Sequence, residues 1–290
     1  AKLSKHADVW LVGNNRVHMQ EIQAHGVTIR RDGADTHYDV NVWCNGEGTE
    51  PVDLVIMFTK AYLTHEALEA NRGLIGEDTY LLSLQNGAGH ENILGSFVDE
   101  EHVLLGTTQQ GSSRENSYTI CHSGLGDTAI GAVHPTPRNQ SMLCEIQGIM
   151  EASDFPCVMS DAIRQMVWNK LMINASSSVL SGVLQVRQGI VVENPDAFWM
   201  CKKLIGDICK VAQAEGLNFQ YEEQVERLEK HLTNAPNGLT SIYADLKNGR
   251  KTEVDYICGA VVDAAKKHGL TAEAQEMMVH MVHAMEGRNV

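Results

Sequence analysis

Apolar runs of strand length recur through the first half of the chain, at 9–12, 54–58, 80–84 and 103–107, the second of them continuous. Runs this short and this apolar suit strands covered on both faces. Between them the spacing predicts helices over 17–25, 63–72 and 90–97, the first ended by Gly26. Short strands at 27–30 and 38–42 flank an Asp32-Gly33 turn. This βαβα rhythm predicts a parallel sheet with helices on both sides. The stretch 111–131 is rich in Gly, Ser and Thr and reads as antiparallel strands closing the edge of that sheet. After Pro135-Thr136-Pro137, a helix over 140–152 and a strand near Val158 complete the first half.

From residue 161 the pattern is helical only. Helices are expected at 162–178, 197–215, 222–233, 241–247, 253–268 and 272–287, with Gly216, Asn248-Gly249 and Gly269 as C-terminal stops. The expected organisation is an α/β domain over 1–160 followed by an all-helical domain over 161–290.

Composition narrows the function classes. A chain of 290 residues suits two domains of about 150 residues each. With 43% hydrophobic residues and 6 prolines it is not a disordered chain. Lys plus Arg is 23 and Asp plus Glu is 37, a net charge of −14. That balance disfavours nucleic acid as a partner, but a local cluster of donors can still hold a small anion. No apolar run approaches the ~20 residues of a membrane span, so no membrane partner is expected. The cysteine count is odd, at 7, and no CxxC pair occurs. This points away from disulfides and from a metal site, towards a reducing cytoplasm. Residues 1–6 lack the apolar centre of a signal peptide.

The segment 166–173 has six apolar residues in eight, yet it contains Lys170. A helix apolar nearly all round is buried, and a buried lysine needs a partner. Asn174 and Ser178 follow at i+4 and i+8, on the same face of an uninterrupted helix. Lys170 therefore either meets a carboxylate or a wet cleft, or snorkels to the surface. Ser241 and Glu253 stand at helix starts and have capping explanations as well. Gln85-Asn86-Gly87-Ala88-Gly89 and Thr59-Lys60 follow buried strands, at the end where open α/β sheets bind ligands. Gly13-Asn14-Asn15-Arg16 follows the first strand. The absence of an acid at 13–16 and the presence of Arg16 favour the 2′-phosphate of NADP over NAD.

Taken together, these segments resemble the ketopantoate reductase (2-dehydropantoate 2-reductase) family. The match runs through 54–60, 85–89, His122-Ser123-Gly124-Leu125-Gly126, Trp168-Asn169-Lys170-Leu171-Met172-Ile173-Asn174, Thr240-Ser241 and Arg250-Lys251-Thr252-Glu253-Val254-Asp255-Tyr256. The resemblance implies a Rossmann-type NADP-binding domain joined to an all-helical domain, with the active site in the cleft. It implies hydride transfer from NADPH to a small-molecule 2-oxo acid, with ketopantoate the foremost substrate. Lys170 matches the general acid and Glu253 the carboxylate that steadies it. Asn174, Ser178 and Ser241 match substrate-binding positions. Lys60 and Asn86 match positions lining the nicotinamide and ribose side, and Asn14, Arg16 and Gly87 join them as cofactor-binding candidates from their places after strands.

Three departures accompany the resemblance. The family's G-x-G-x-x-G loop is not found in 1–290, and a further ~15–20 N-terminal residues carrying it are expected. Ser178 and Cys258 stand where members often have Asn, which keeps a mandelate-type D-2-hydroxyacid dehydrogenase open. A non-catalytic NADP-binding protein is a further reading. The sequence leaves the oligomeric state open, a homodimer included.

Overall fold

Of the apolar runs, residues 80–83 and 103–106 are buried on both faces, whereas Trp10 and Val12 of the run at 9–12 are exposed, contrary to expectation. The structure, a computed structural model, describes residues 1–124 and 126–287, so Leu125 of the 122–126 segment lies outside the described residues. One unit comprises Ala1–Thr59, Leu63–Gln85 and His90–Ile163. It carries β1 (Trp10–Gly13), α1 (Arg16–His25), β2 (Val27–Arg31), β3 (Ala34–Tyr38), β4 (Asn41–Cys44), β5 (Leu54–Met57), α2 (Thr64–Ala70) and β6 (Tyr80–Ser83). These are followed by α3 (His90–Leu94), β7 (Val103–Thr108), β8 (Gly111–Arg114), β9 (Thr119–Gly124), β10 (Thr128–Ala132), α4 (Pro137–Ala152) and β11 (Cys157–Met159).

The main sheet has the order β11-β10-β7-β6-β5. β5, β6 and β7 run parallel, and β10 runs antiparallel to β7. Neighbouring residues of β6 enter opposite cores. Leu82 packs with Leu104, Ile130 and the α4 residues Leu143, Ile146 and Met150. Leu81 packs with Met57, Leu68, Leu94 and Val103. Helix α4 therefore covers one face, and α2 and α3 the other. Thr136 and Asn139 start α4 with a reciprocal capping box, and Pro137 stands at its first position, earlier than the expected 140.

The 111–131 stretch differs from expectation. Only β10 joins the main sheet. β8 and β9 pair with β2 and β3 in a separate four-stranded sheet, order β3-β2-β9-β8. The reason is charge: Arg30 of β2 donates to Asp35 at 2.8 Å and to Glu115 at 2.6 Å. Those partners favour a wet, two-sided ribbon over a buried sheet edge. The 38–42 expectation divides into β3 and β4, and β4 pairs in parallel with β1.

The second unit comprises Lys60–Tyr62, Asn86–Gly89 and the chain from Arg164 onward. Its helices are α5 (Ile163–Ile173), α6 (Val179–Leu184), α7 (Gln188–Glu193), α8 (Pro195–Ala214), α9 (Tyr221–Asn234), α10 (Ser241–Lys247), α11 (Val254–Lys267) and α12 (Glu273–Glu286). Leu171, Ile205, Ile208 and Phe219 are fully buried in it, and such a side chain stabilises by about 2 kcal/mol. Asp207 of α8 accepts from the Ala274 amide at 2.8 Å and so caps α12 from outside. The expected single helix over 162–178 is interrupted, because Asn174–Ser178 is a π-helical turn. The residues responsible are serines. Ser176 Oγ donates to the Met172 carbonyl at 2.5 Å and Ser177 Oγ to that of Ile173 at 3.3 Å, loosening the helical ladder. Among the described residues, no helix is long and apolar enough to cross a membrane.

Candidate active site

Lys170 lies in the last turn of α5, held there by the apolar face that buries Leu171 and Met172. Burial pushes its ammonium down from the usual lysine range to about 8, and the negative charge of Glu253 opposes that fall. Glu253 is the N-cap residue of α11. Its carboxylate does not cap that helix. Oε1 accepts from the Ala61 amide at 2.9 Å and Oε2 from Lys60 Nζ at 3.4 Å. The side chain is only 7% exposed, so these partners and Lys170 constitute its environment.

Lys60 also donates to Asp245 Oδ2 at 2.8 Å. The other oxygen of Asp245 accepts from Arg250 Nε at 3.0 Å. Charges therefore alternate through the site, from Lys170 to Glu253, Lys60, Asp245 and Arg250. Burial lowers the Lys60 pKa, but the bond to Asp245 and the field of Glu253 outweigh it and raise the pKa overall. Sequence reasoning missed Asp245. The available signal was its position four residues after Ser241, one turn along the same face of α10.

Gly87 brings its loop against α11. Its φ is +103°, and a Cβ there would lie 2.2 Å from the Tyr256 carbonyl oxygen. Ala88 N donates to that same carbonyl at 3.1 Å. Only glycine meets both conditions. Asn86, partly buried, is thereby placed in the second unit with Lys60, Lys170 and Glu253. In the first unit, Gln85 Nε2 donates to the Thr59 carbonyl at 2.8 Å and to Thr64 Oγ1 at 2.8 Å. The two chain segments that lead into Lys60 and Asn86 are thus tied together.

The other candidates are distributed differently. Asn174 opens the π-turn, and its side chain is partly buried with no hydrogen bond among the described residues. Ser178 closes that turn and is buried, accepting from Gln188 Nε2 at 3.2 Å. The common face expected for Lys170, Asn174 and Ser178 is broken there, because a π-turn advances each residue by a smaller angle than an α-turn. Ser241 is exposed at the first position of α10, and Thr240 is the cap, accepting from Tyr243 N at 3.1 Å. Cys258 is fully buried, its thiol pushed up by burial and directed 4.0 Å from the Ala175 carbonyl. That carbonyl also accepts from Gln275 Nε2 at 2.9 Å.

In the first unit, Asn14 and Arg16 lie at the carboxyl end of β1. Asn14 is exposed, and Asn15 caps α1 by accepting from His18 N at 3.1 Å. The Arg16 side chain is 66% exposed and 3.0 Å from Glu47. A guanidinium open to solvent at the carboxyl end of a parallel strand fits the ribose phosphate of a dinucleotide. No group of three or more His, Cys, Asp and Glu side chains able to hold a metal occurs among the described residues.

Two family profiles match the chain. Residues 1–135 match "Ketopantoate reductase PanE/ApbA" and residues 162–286 match its C-terminal part. The 2-dehydropantoate 2-reductase of Streptococcus pyogenes serotype M6 is 28% identical over 280 residues, covering 96% of this chain and 90% of that protein. The one from Halobacterium salinarum is 26% identical over 275 residues, covering 94% and 89%. Among solved structures, D-mandelate dehydrogenase with NADH and anilino(oxo)acetate is 26% identical with a TM-score of 0.91, covering 99% of this chain and 94% of its own. A putative 2-dehydropantoate 2-reductase from Enterococcus faecalis is 25% identical with a TM-score of 0.80 and the same coverage.

Proposed function

The chain belongs to the ketopantoate reductase family of oxidoreductases, and from that membership we propose that it reduces a 2-oxo acid to the 2-hydroxy acid with NADPH, 2-dehydropantoate being the leading substrate. The observation that carries this reading is Lys170, a partly buried ammonium in an apolar helix with its pKa at about 8 and Glu253 as its counter-charge. Such a group is protonated at neutral pH and gives up its proton readily, which is what a general acid needs. Bound NADPH would supply the hydride to the C2 carbon of the ketone. Lys170 polarises the ketone oxygen and donates the proton that completes the alcohol. The neutral amine is then recharged from solvent.

Glu253 keeps the ammonium oriented, and Lys60 and the Ala61 amide fix Glu253. Asn174 and Ser241 bind the substrate, and Ser178 shapes the π-turn beside it. Asn86 and Gly87 serve the nicotinamide end of the cofactor, and Asn14 and Arg16 the adenosine phosphate end. The seven cysteines are all free, which supports a cytoplasmic setting.

The test is NADPH oxidation with 2-dehydropantoate and with bulkier 2-oxo acids, for the native protein and Lys170→Ala. The proposal expects turnover that Lys170→Ala abolishes while cofactor affinity is kept. Cofactor binding without turnover of any 2-oxo acid would mean a non-catalytic protein. Turnover of only the bulkier acids would support a second reading, a mandelate-type D-2-hydroxyacid dehydrogenase. That reading is favoured by the likeness to the D-mandelate dehydrogenase structure and by Ser178 and Cys258 in place of longer amides.

A further inference from the structure

The reading of NADP rests on Arg16 and on the absence of an acid at 13–16, but the fold brings an acid to Arg16 from elsewhere. β1 and β4 pair in parallel with Gly13 opposite Cys44. Their carboxyl-end loops, 14–16 and 45–47, therefore leave the sheet side by side. Asn45 N donates to the Gly13 carbonyl at 3.0 Å and joins the two loops. The 44–47 turn is tight. Glu47 N donates to the Cys44 carbonyl at 3.0 Å, and Gly46 takes a φ of +80°. Asn71 Oδ1 accepts from Gly46 N at 3.0 Å.

The Glu47 carboxylate is fixed within that turn. Oε2 accepts from the Cys44 amide at 2.7 Å, and Oε1 meets Arg16 Nη1 at 3.0 Å. The amide bond, with Arg16 beside it, holds the carboxyl below its usual range against a small opposing burial cost. The carboxylate is thus charged and anchored through backbone, while among the described residues Arg16 is attached only through an exposed ion pair. Exposed pairs of that kind are weak, so a phosphate can draw the guanidinium away. Glu47 keeps its bond from the Cys44 amide, so its charge remains near a phosphate that Arg16 binds.

We propose that Glu47 is a cofactor-selectivity residue: a fixed carboxylate that competes with the ribose 2′-phosphate for Arg16 and so narrows the preference for NADP over NAD. This rests on the nicotinamide-dinucleotide reading above and refines it. A dianionic phosphate within about 5 Å of a carboxylate in water loses on the order of tenfold in affinity, less at high salt.

The test is calorimetric binding of NADP⁺, NAD⁺ and 2′,5′-ADP to the native protein, Glu47→Gln and Arg16→Gln. Glu47→Gln keeps an oxygen for the Cys44 amide and removes only the charge. It is expected to tighten NADP⁺ and 2′,5′-ADP about five- to tenfold at low salt, to leave NAD⁺ within about twofold, and to lose the gain as salt rises. Arg16→Gln is expected to weaken NADP⁺ and 2′,5′-ADP alone. An NADP⁺ to NAD⁺ affinity ratio unchanged in Glu47→Gln, in a protein that binds both, overturns the inference. Failure of the native protein to bind either nucleotide overturns the dinucleotide reading instead.

Discussion

Lys60 joins two buried carboxylates that stand on different helices, Asp245 on α10 at 2.8 Å and Glu253 at the start of α11 at 3.4 Å. The shorter bond is to Asp245, which is 8% exposed and shares its second oxygen with Arg250 at 3.0 Å. Asp245→Asn keeps the shape and removes the charge that two cations face. Lys60 is 36% and Arg250 61% exposed, so solvent screens part of the loss and the cost is about 1–2 kcal/mol, below that of a fully buried pair. The expected outcome is a lowered denaturation midpoint with an unchanged denaturant slope, measured by urea unfolding. Stability equal to the native protein would show that Asp245 does not hold Lys60 in solution.

The low pKa of Lys170 has two consequences of opposite sign. With Lys170 in the proposed role of general acid, reduction uses the protonated amine, so kcat/KM for the 2-oxo acid is expected to be flat at low pH and to fall as pH rises through about 8. Oxidation of the 2-hydroxy acid needs the neutral amine and should rise over the same interval. For stability, the folded pKa lies below the ordinary lysine value of 10.5, so the unfolded chain binds more protons between those two values. Stability contributed by this group therefore increases with pH from about 8 to 10.5 and is at its lowest below that window. Lys170→Met removes the buried charge and is expected to abolish turnover while holding or raising the melting temperature at pH 7. A large fall in melting temperature would mean that the ammonium stabilises the fold.

Gly87 tests how the 86–89 loop is held. A methyl group at this position would meet the Tyr256 carbonyl at 2.2 Å, at a φ of +103°. Gly87→Ala is expected to cost about 3 kcal/mol and to displace Asn86, so both stability and turnover fall. Gly269→Ala is the control, with a φ of +66° and open space around its Cβ. It should cost only about 1 kcal/mol and leave turnover intact. Equal costs for the two variants would show that the Tyr256 contact is not what requires glycine at 87.

Much of this arrangement was legible along the chain. The alternation of short apolar runs and helical spacings gave the α/β unit and the helical unit, because burial on both faces leaves a direct imprint on composition. Lys170 was legible because a cation within an apolar helix is costly without a purpose. Four features were not legible, and each is a matter of tertiary contacts at long separation or of local hydrogen bonding. The π-turn at Asn174 depends on Ser176 and Ser177 bonding to carbonyls of their own helix, and this leaves the apolar pattern unchanged. Helix α7 carries Gly189 and the β-branched Ile190, Val191 and Val192, weak helix formers held in place by tertiary contacts. The pairing of Arg16 with Glu47 follows from the β1–β4 register, and that of Lys60 with Asp245 spans 185 positions.

Glu253 is where these relationships converge, and its replacement discriminates most sharply between a catalytic and a capping role. A capping residue would be replaced by Gln at little cost, since an amide oxygen also accepts from a backbone amide. Here Glu253→Gln can keep the bond from Ala61 N, which is 2.9 Å long. It cannot keep the charge facing Lys60 and Lys170. Glu253 is the influence that holds the Lys170 pKa up against burial. Without it the pKa falls below about 8, and less of the enzyme carries the proton at neutral pH. Turnover is expected to fall about 10²- to 10⁴-fold, the range for a disabled general acid, and the falling limb of the reduction profile should move to lower pH. The displacement of that limb is the decisive measurement, because a purely capping role would leave both the melting temperature and the limb close to their native positions.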